Sequence, residues 1–190
     1  ESKVDDVEID CPERLNMVLK EFDYGYIKDG KPYTGNNFDK YKTIDPKTFE
    51  KYRIGTCWDY TAYEYEYFKK EFDFDKLKST AYFIQEEDGK DNPSHTWLAY
   101  ETNGYTYIFE ASWKKYKGIF EYESKDKMLK DYIKKFLRNN GTDPNIAKYI
   151  VLEFVPPTKY GLTSDKYLKY IYNNSKVVLN HGISDWDLYY

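Results

Sequence analysis

Apolar and polar positions along the chain change their period several times, and each change marks an element. From Cys57 to about Phe72, Trp58, Ala62, Tyr65, Phe68 and Phe72 recur at spacings of three and four, which predicts a helix with one buried face and Thr56 as its cap. Leu15, Val18, Leu19 and Phe22 repeat the pattern behind Pro12, with Asp10 or Cys11 at the cap. Asp45-Pro46 starts a short helix through Tyr52, Lys125 to Asn139 is amphipathic and stopped by Gly141, and Thr163 to about Asn173 forms the last helix. Between Tyr24 and Asn37 the Gly- and Tyr-rich stretch reads as a loop.

Strand patterns fill the middle. Thr80 to Gln85 is a short apolar run, Gly89 to Pro93 a loop, and Tyr149 to Val155 a strand halted by Pro156-Pro157. Thr96 to Thr102 and Tyr105 to Ala111 flank Asn103-Gly104, the dipeptide that a two-residue hairpin turn prefers. The expected fold class is therefore α+β, in one domain over residues 1–190.

The hairpin also serves as a ruler. Counting back from Thr102 opposite Tyr105 sets Trp97 opposite Glu110 and His95 opposite Ser112, so these four side chains share one face. Glu110 becomes the diagonal neighbour of His95 at a Cβ separation of roughly 5 to 8 Å, within a glutamate's reach of an imidazole. Thr96, Leu98, Tyr100, Tyr107, Phe109 and Ala111 form the opposite, mostly apolar face.

Composition narrows the function classes. Twenty-three tyrosines supply much of the apolar bulk, while the mean hydropathy of −0.89 indicates a polar surface. With 29 basic against 33 acidic residues, interleaved along the chain, nucleic-acid binding is not favoured. The aromatic stretch Tyr160 to Tyr172 reads as core instead of a base-stacking surface. No apolar run is long enough for a membrane span, so no membrane partner is expected. Glu1 to Asp10 is acidic and lacks a leader's positive start, and two cysteines make no stapled framework; the expectation is a soluble, cytoplasmic chain, with a secreted mature form left open. Oligomeric state is not legible.

Chemistry concentrates on few residues. Cys57 opens a helix, where unpaired N–H groups and the helix dipole favour a thiolate. His95 is placed to take the thiol proton and return it to a leaving amine, Glu110 to fix the imidazole tautomer, and the Cys57 N–H to donate to an oxyanion. That is the equipment of acyl transfer through a thioester. Cys11 is expected to be a cap or packing residue, and His181, in Asn180-His181-Gly182, a surface loop residue. One His near one Cys is no zinc-ligand set, so neither metal nor other cofactor is expected. Asp185-Trp186-Asp187 and the terminal tyrosines read equally as a docking tail or a packed end.

Gly55-Thr56-Cys57-Trp58 resembles the Gly-x-Cys-Trp element of the transglutaminase-like superfamily. His95-Thr96-Trp97, with Glu110 fifteen residues on, is similar to its His-x-Trp strand and acid-bearing strand. The match covers Gly55 to Trp113. It implies a papain-like α+β fold, with the nucleophile helix packed on an antiparallel sheet. It also implies a Cys57-His95-Glu110 triad acting on a peptide or protein amide as peptidase, amidase, deamidase or transglutaminase, as in small microbial members. The family usually has Asp, often before Pro, where this chain has Glu110-Ala111. The resemblance further implies an upstream residue that completes the oxyanion hole, for which Tyr24, Tyr26 and Tyr33 are candidates; Trp58 and Trp97 are candidate substrate contacts. A second reading keeps the fold as a catalytically silent module that binds a protein or peptide through a Tyr-rich groove.

Overall fold

The computed structural model describes residues 8–72 and 76–184. Pro12 occupies a first-turn site where a backbone N–H would lack a helical partner, and α1 runs Pro12–Leu19 with Cys11 at the cap position but making no side-chain cap bond. Three short strands follow, β1 (Asp23–Tyr24), β2 (Tyr26–Lys28) and β3 (Lys31–Tyr33). The expected loop after Tyr24 therefore contains a small hairpin, β2 pairing antiparallel with β3. Helix α2 (Pro46–Tyr52) is capped by Asp45, whose carboxylate accepts from the Thr48 N–H at 3.0 Å. Strand β4 (Ile54–Gly55) then delivers the chain to α3 (Cys57–Lys70).

Strands β5 (Lys78–Glu87), β6 (Ser94–Thr102) and β7 (Tyr105–Glu110) come next, with a 3-10 turn at Lys114–Tyr116 before β8 (Gly118–Tyr122). Helix α4 (Lys125–Asn139), β9 (Lys148–Phe154), α5 (Ser164–Asn173) and β10 (Ser175–His181) complete the described order. Six strands form one antiparallel sheet in the order β10-β9-β5-β6-β7-β8. The fold class is mixed α+β.

Asn103 and Gly104 both have positive φ, 52° and 81°, as the tight turn between β6 and β7 demands. The turn sets Thr102 opposite Tyr105 and Leu98 opposite Phe109. Alternation then divides the sheet between two cores. Leu98, Phe109, Phe83 and Leu152 pack with α1, α3 and α5 on one face, whereas Trp97, Ile108, Ile84 and Val151 pack with α4 on the other.

Strand β10 corrects the placement of His181. It ends that strand instead of lying in a loop, its Nδ1 lies 2.5 Å from the Ala147 carbonyl, and its ring stacks on Tyr149. Tyr167, Ile171 and Tyr172 of the C-terminal aromatic stretch are buried. The Asp185-Trp186-Asp187 segment lies outside the described residues. Among the described residues no helix is long and apolar enough to cross a membrane.

Candidate active site at a split in the sheet

The ladder between β6 and β7 stops at Leu98 and Phe109, although β6 begins at Ser94 and β7 ends at Glu110. Beyond that point each strand keeps only its outer partner: His95 lies opposite Ile84 of β5, and Glu110 opposite Gly118 of β8. The strands thus part where the candidate residues sit. Through this opening the start of α3, packed on one face, interacts with His95, which lies among the α4-side aromatics of the other.

His95 Nε2 and Glu110 Oε1 are 2.5 Å apart, and both residues are buried. Burial alone would drive the imidazole pKa down. The adjacent Glu110 charge, hydrogen bonding to Cys57 and Glu110 and the charge at Cys57 together outweigh it, and the ring is held protonated with a pKa raised to about 10. Since Nε2 is taken by the carboxylate, Nδ1 is the nitrogen left to face the Cys57 sulfur.

Glu110 has a second strong donor. Tyr132, from the middle of α4, donates to the same Oε1 at 2.5 Å, while the Ser112 hydroxyl reaches Oε2 at a long 3.4 Å. From the other side of the sheet, Asn16 Nδ2 on α1 donates to the Glu110 carbonyl at 3.2 Å. Backbone and carboxylate are thereby anchored separately. Trp97 packs parallel beneath His95, ring centres 6.1 Å apart, and Trp113 meets it edge-on at 5.2 Å.

The nucleophile end is held by buried polar groups. Asp59 Oδ2 accepts from the Thr56 N–H at 2.9 Å and from the Tyr41 hydroxyl at 3.0 Å; Oδ1 accepts from the Ile44 N–H at 3.0 Å. Thr56 Oγ1 donates to the Tyr41 hydroxyl at 2.8 Å, closing the cluster. Burial raises the Asp59 pKa to about 6 despite these donors. Gly55 fits because a Cβ there would lie 2.7 Å from the Asp59 Cβ and 2.9 Å from the Phe49 ring. A side chain there would have to displace Asp59 or Phe49.

Tyr24 is the upstream tyrosine at the thiol. It lines one cavity with Cys57; although the residue is 44 % exposed, burial around the hydroxyl and the charge at Cys57 push the phenol pKa well up. Tyr26 and Tyr33 are turned to other work: Tyr26 donates to the Asn37 carbonyl at 2.8 Å, and Tyr33 accepts from the Asn37 N–H at 3.1 Å. Neither lines the two cavities that Tyr24 borders. Trp58 does reach the thiol side. It lines a cavity of about 160 Å³ with Cys57, Thr56 and Tyr24, donates its indole N–H to Thr96 Oγ1 at 3.0 Å and stacks on Tyr167 at 4.3 Å. Trp97, 1 % exposed and clasped by Tyr82 and Tyr132, is a floor for His95 and not a substrate contact.

Glu64, one further residue of α3, completes the buried set. It is 2 % exposed, its Oε2 has no hydrogen-bond partner, and burial, with the charges at Glu110 and Cys57 in support, pushes its pKa well up.

Sequence reasoning missed Tyr132, Asp59 and Tyr41, whose partners lie on other segments of the chain: Glu110 for Tyr132, and Asp59 and Tyr41 for each other. No family model matches the chain, and neither a curated protein nor a solved structure matches it.

Proposed function

We propose that this protein is a cysteine-dependent acyl-transfer enzyme acting on peptide or protein amides, with water as the usual acceptor, built on a papain-like, transglutaminase-like arrangement. The buried 2.5 Å contact between His95 and Glu110, facing Cys57 across the split sheet, carries this reading. A charged imidazole inside a protein needs a function or a compensating charge, and here it has the second beside a candidate for the first.

The cycle uses groups already in place. The Cys57 sulfur, as thiolate, adds to the amide carbon and forms the C–S bond, the carbonyl oxygen becoming an oxyanion beside the Cys57 N–H and the Tyr24 hydroxyl. Collapse breaks the C–N bond, and the imidazolium of His95 protonates the departing amine. Neutral His95 then takes a proton from water; the hydroxide oxygen adds to the thioester carbon, and the C–S bond breaks to release a carboxylic acid and regenerate the thiolate-imidazolium pair. Glu110 and Tyr132 hold the ring throughout. Glutamate in place of aspartate gives the acid the length to meet both His95 and the phenol from α4.

Both cysteines are free thiols, which supports assignment to a reducing, cytoplasmic compartment. They also provide the test. Burial and the neighbouring Glu13 and Asp10 raise the Cys11 thiol pKa, so iodoacetamide at pH 6 to 7 is expected to alkylate Cys57 first. Cys57→Ala should abolish turnover of a peptide library with the fold intact. Equal, slow alkylation of both thiols would refute the enzyme reading and favour a silent binding module.

A further inference from the structure

A second cavity, of about 370 Å³, adjoins His95 and is not lined by Cys57. Its apolar walls are Trp113, Phe136 and Pro93, and Tyr24 and Ser94 border both this cavity and the smaller one at the thiol. The two spaces therefore flank the Cys57-His95 pair, one on the sulfur side and one on the imidazole side. Trp113 and Phe136 are fixed against each other and against the His95 ring, so the walls are preformed.

Chemistry assigns the halves of a substrate to these sides. The acyl carbon must bond to sulfur, whereas the departing nitrogen must come within hydrogen-bond distance of His95 to collect its proton. The residue attached to that nitrogen consequently projects to the imidazole side. Of the ionisable groups lining that cavity, His95 and Lys114 are both bases, and no carboxylate lines it. A space with aromatic walls and a positive rim complements an apolar side chain next to an anion.

We propose that this cavity seats the amine-side residue of the substrate, an apolar or aromatic residue bearing a free α-carboxylate that meets Lys114, so that the enzyme releases single residues from peptide C-termini. The inference rests on the acyl-transfer reading and deepens it by naming the substrate's leaving half. Volume is consistent with it: one aromatic amino acid fits the space with room for a few waters.

The test compares peptides that differ only after the scissile amide: terminal Phe as free acid, terminal Phe as carboxamide, Phe followed by Asp-carboxamide, and terminal Gly as free acid. The Phe acid is expected to exceed the Gly acid in kcat/KM by about tenfold or more. It should exceed the Phe carboxamide and the Asp-extended peptide by about three- to fivefold, a preference that Lys114→Glu, on an exposed position, should abolish or reverse. Turnover indifferent to these changes, or greatest for the Asp-extended peptide, would overturn the proposal. Binding is read separately with Cys57→Ala protein. Free phenylalanine should shift the Trp113 indole resonance and phenylalaninamide should shift it less. That result without turnover would refute the acyl-transfer reading while leaving the cavity assignment standing, whereas turnover without any Trp113 shift would refute the cavity assignment alone.

Discussion

Replacing Glu110 by Gln removes one charge from the site and almost no volume. In the native protein the displacement of His95 from 6.5 to about 10 corresponds to on the order of 5 kcal/mol of preference for the imidazolium. Glu110's charge is the largest influence raising the value, and burial, which acts the other way, remains in the variant. His95 should therefore titrate below 6.5 in Glu110→Gln and be neutral at pH 7. The Gln carbonyl still accepts from Tyr132 and from the imidazole N–H, so stability should drop by only about 1–3 kcal/mol, less than the loss from an orphaned buried charge. Turnover should fall by about a hundredfold or more, since the departing amine then lacks its acid at neutral pH. The assay is an NMR titration of the His95 Cε1–H, with His181→Gln identifying the second histidine. A native His95 titrating near 6.5, or one unmoved by Glu110→Gln, would show that the carboxylate does not hold the proton and would refute the reasoning.

Four other expectations follow from the same geometry. Folding raises the His95 pKa, so its contribution to stability is complete below pH 6.5 and is lost as pH rises through about 10; the fall in melting temperature across that window should be smaller in His95→Gln. Tyr132→Phe takes away one of two strong donors to Glu110 and should cost about 1–3 kcal/mol in urea unfolding, with kcat down by about tenfold and KM nearly unchanged. Tyr24→Phe should lower kcat by about tenfold to a hundredfold while iodoacetamide still alkylates Cys57, because the proposed mechanism sets the hydroxyl beside the oxyanion and the side chain is 44 % exposed. Gly55→Ala forces a Cβ into Asp59 and Phe49 and should destabilise by about 1–3 kcal/mol, read as a lowered denaturation midpoint.

Local signals made much of this site legible. Asn103-Gly104 fixes the hairpin, the hairpin fixes the shared face of His95 and Glu110, and the periodicity after Thr56 places Cys57 at a helix start. What escaped is non-local or weakly patterned. Strands β8 and β10 are sheet edges whose half-buried or exposed, polar-mixed residues lack a clear alternation. The pairing of β1 with β4 joins two dipeptides about thirty residues apart, and nothing within either dipeptide announces it. Tyr132 was readable as core, but the partner of its hydroxyl lies on another element; likewise no pattern distinguishes Tyr24 from Tyr26, which fall on two different short strands either side of Gly25. The opening between β6 and β7 is invisible for the same reason, because it depends on where pairing stops and not on which residues could pair.

The short parallel pairing of β1 with β4 sets the mechanical behaviour of the corner that holds Tyr24 and Cys57. Asp23 N–H donates to the Arg53 carbonyl at 2.9 Å and Gly25 N–H to the Gly55 carbonyl at 3.1 Å, bracketing Tyr24 on one segment and leading to Cys57 on the other. Phenol and thiol are thus tied to a common backbone splint. The Gly25 amide becomes a gauge of that splint: its deuterium uptake measures how often the corner comes undone, independently of any substrate.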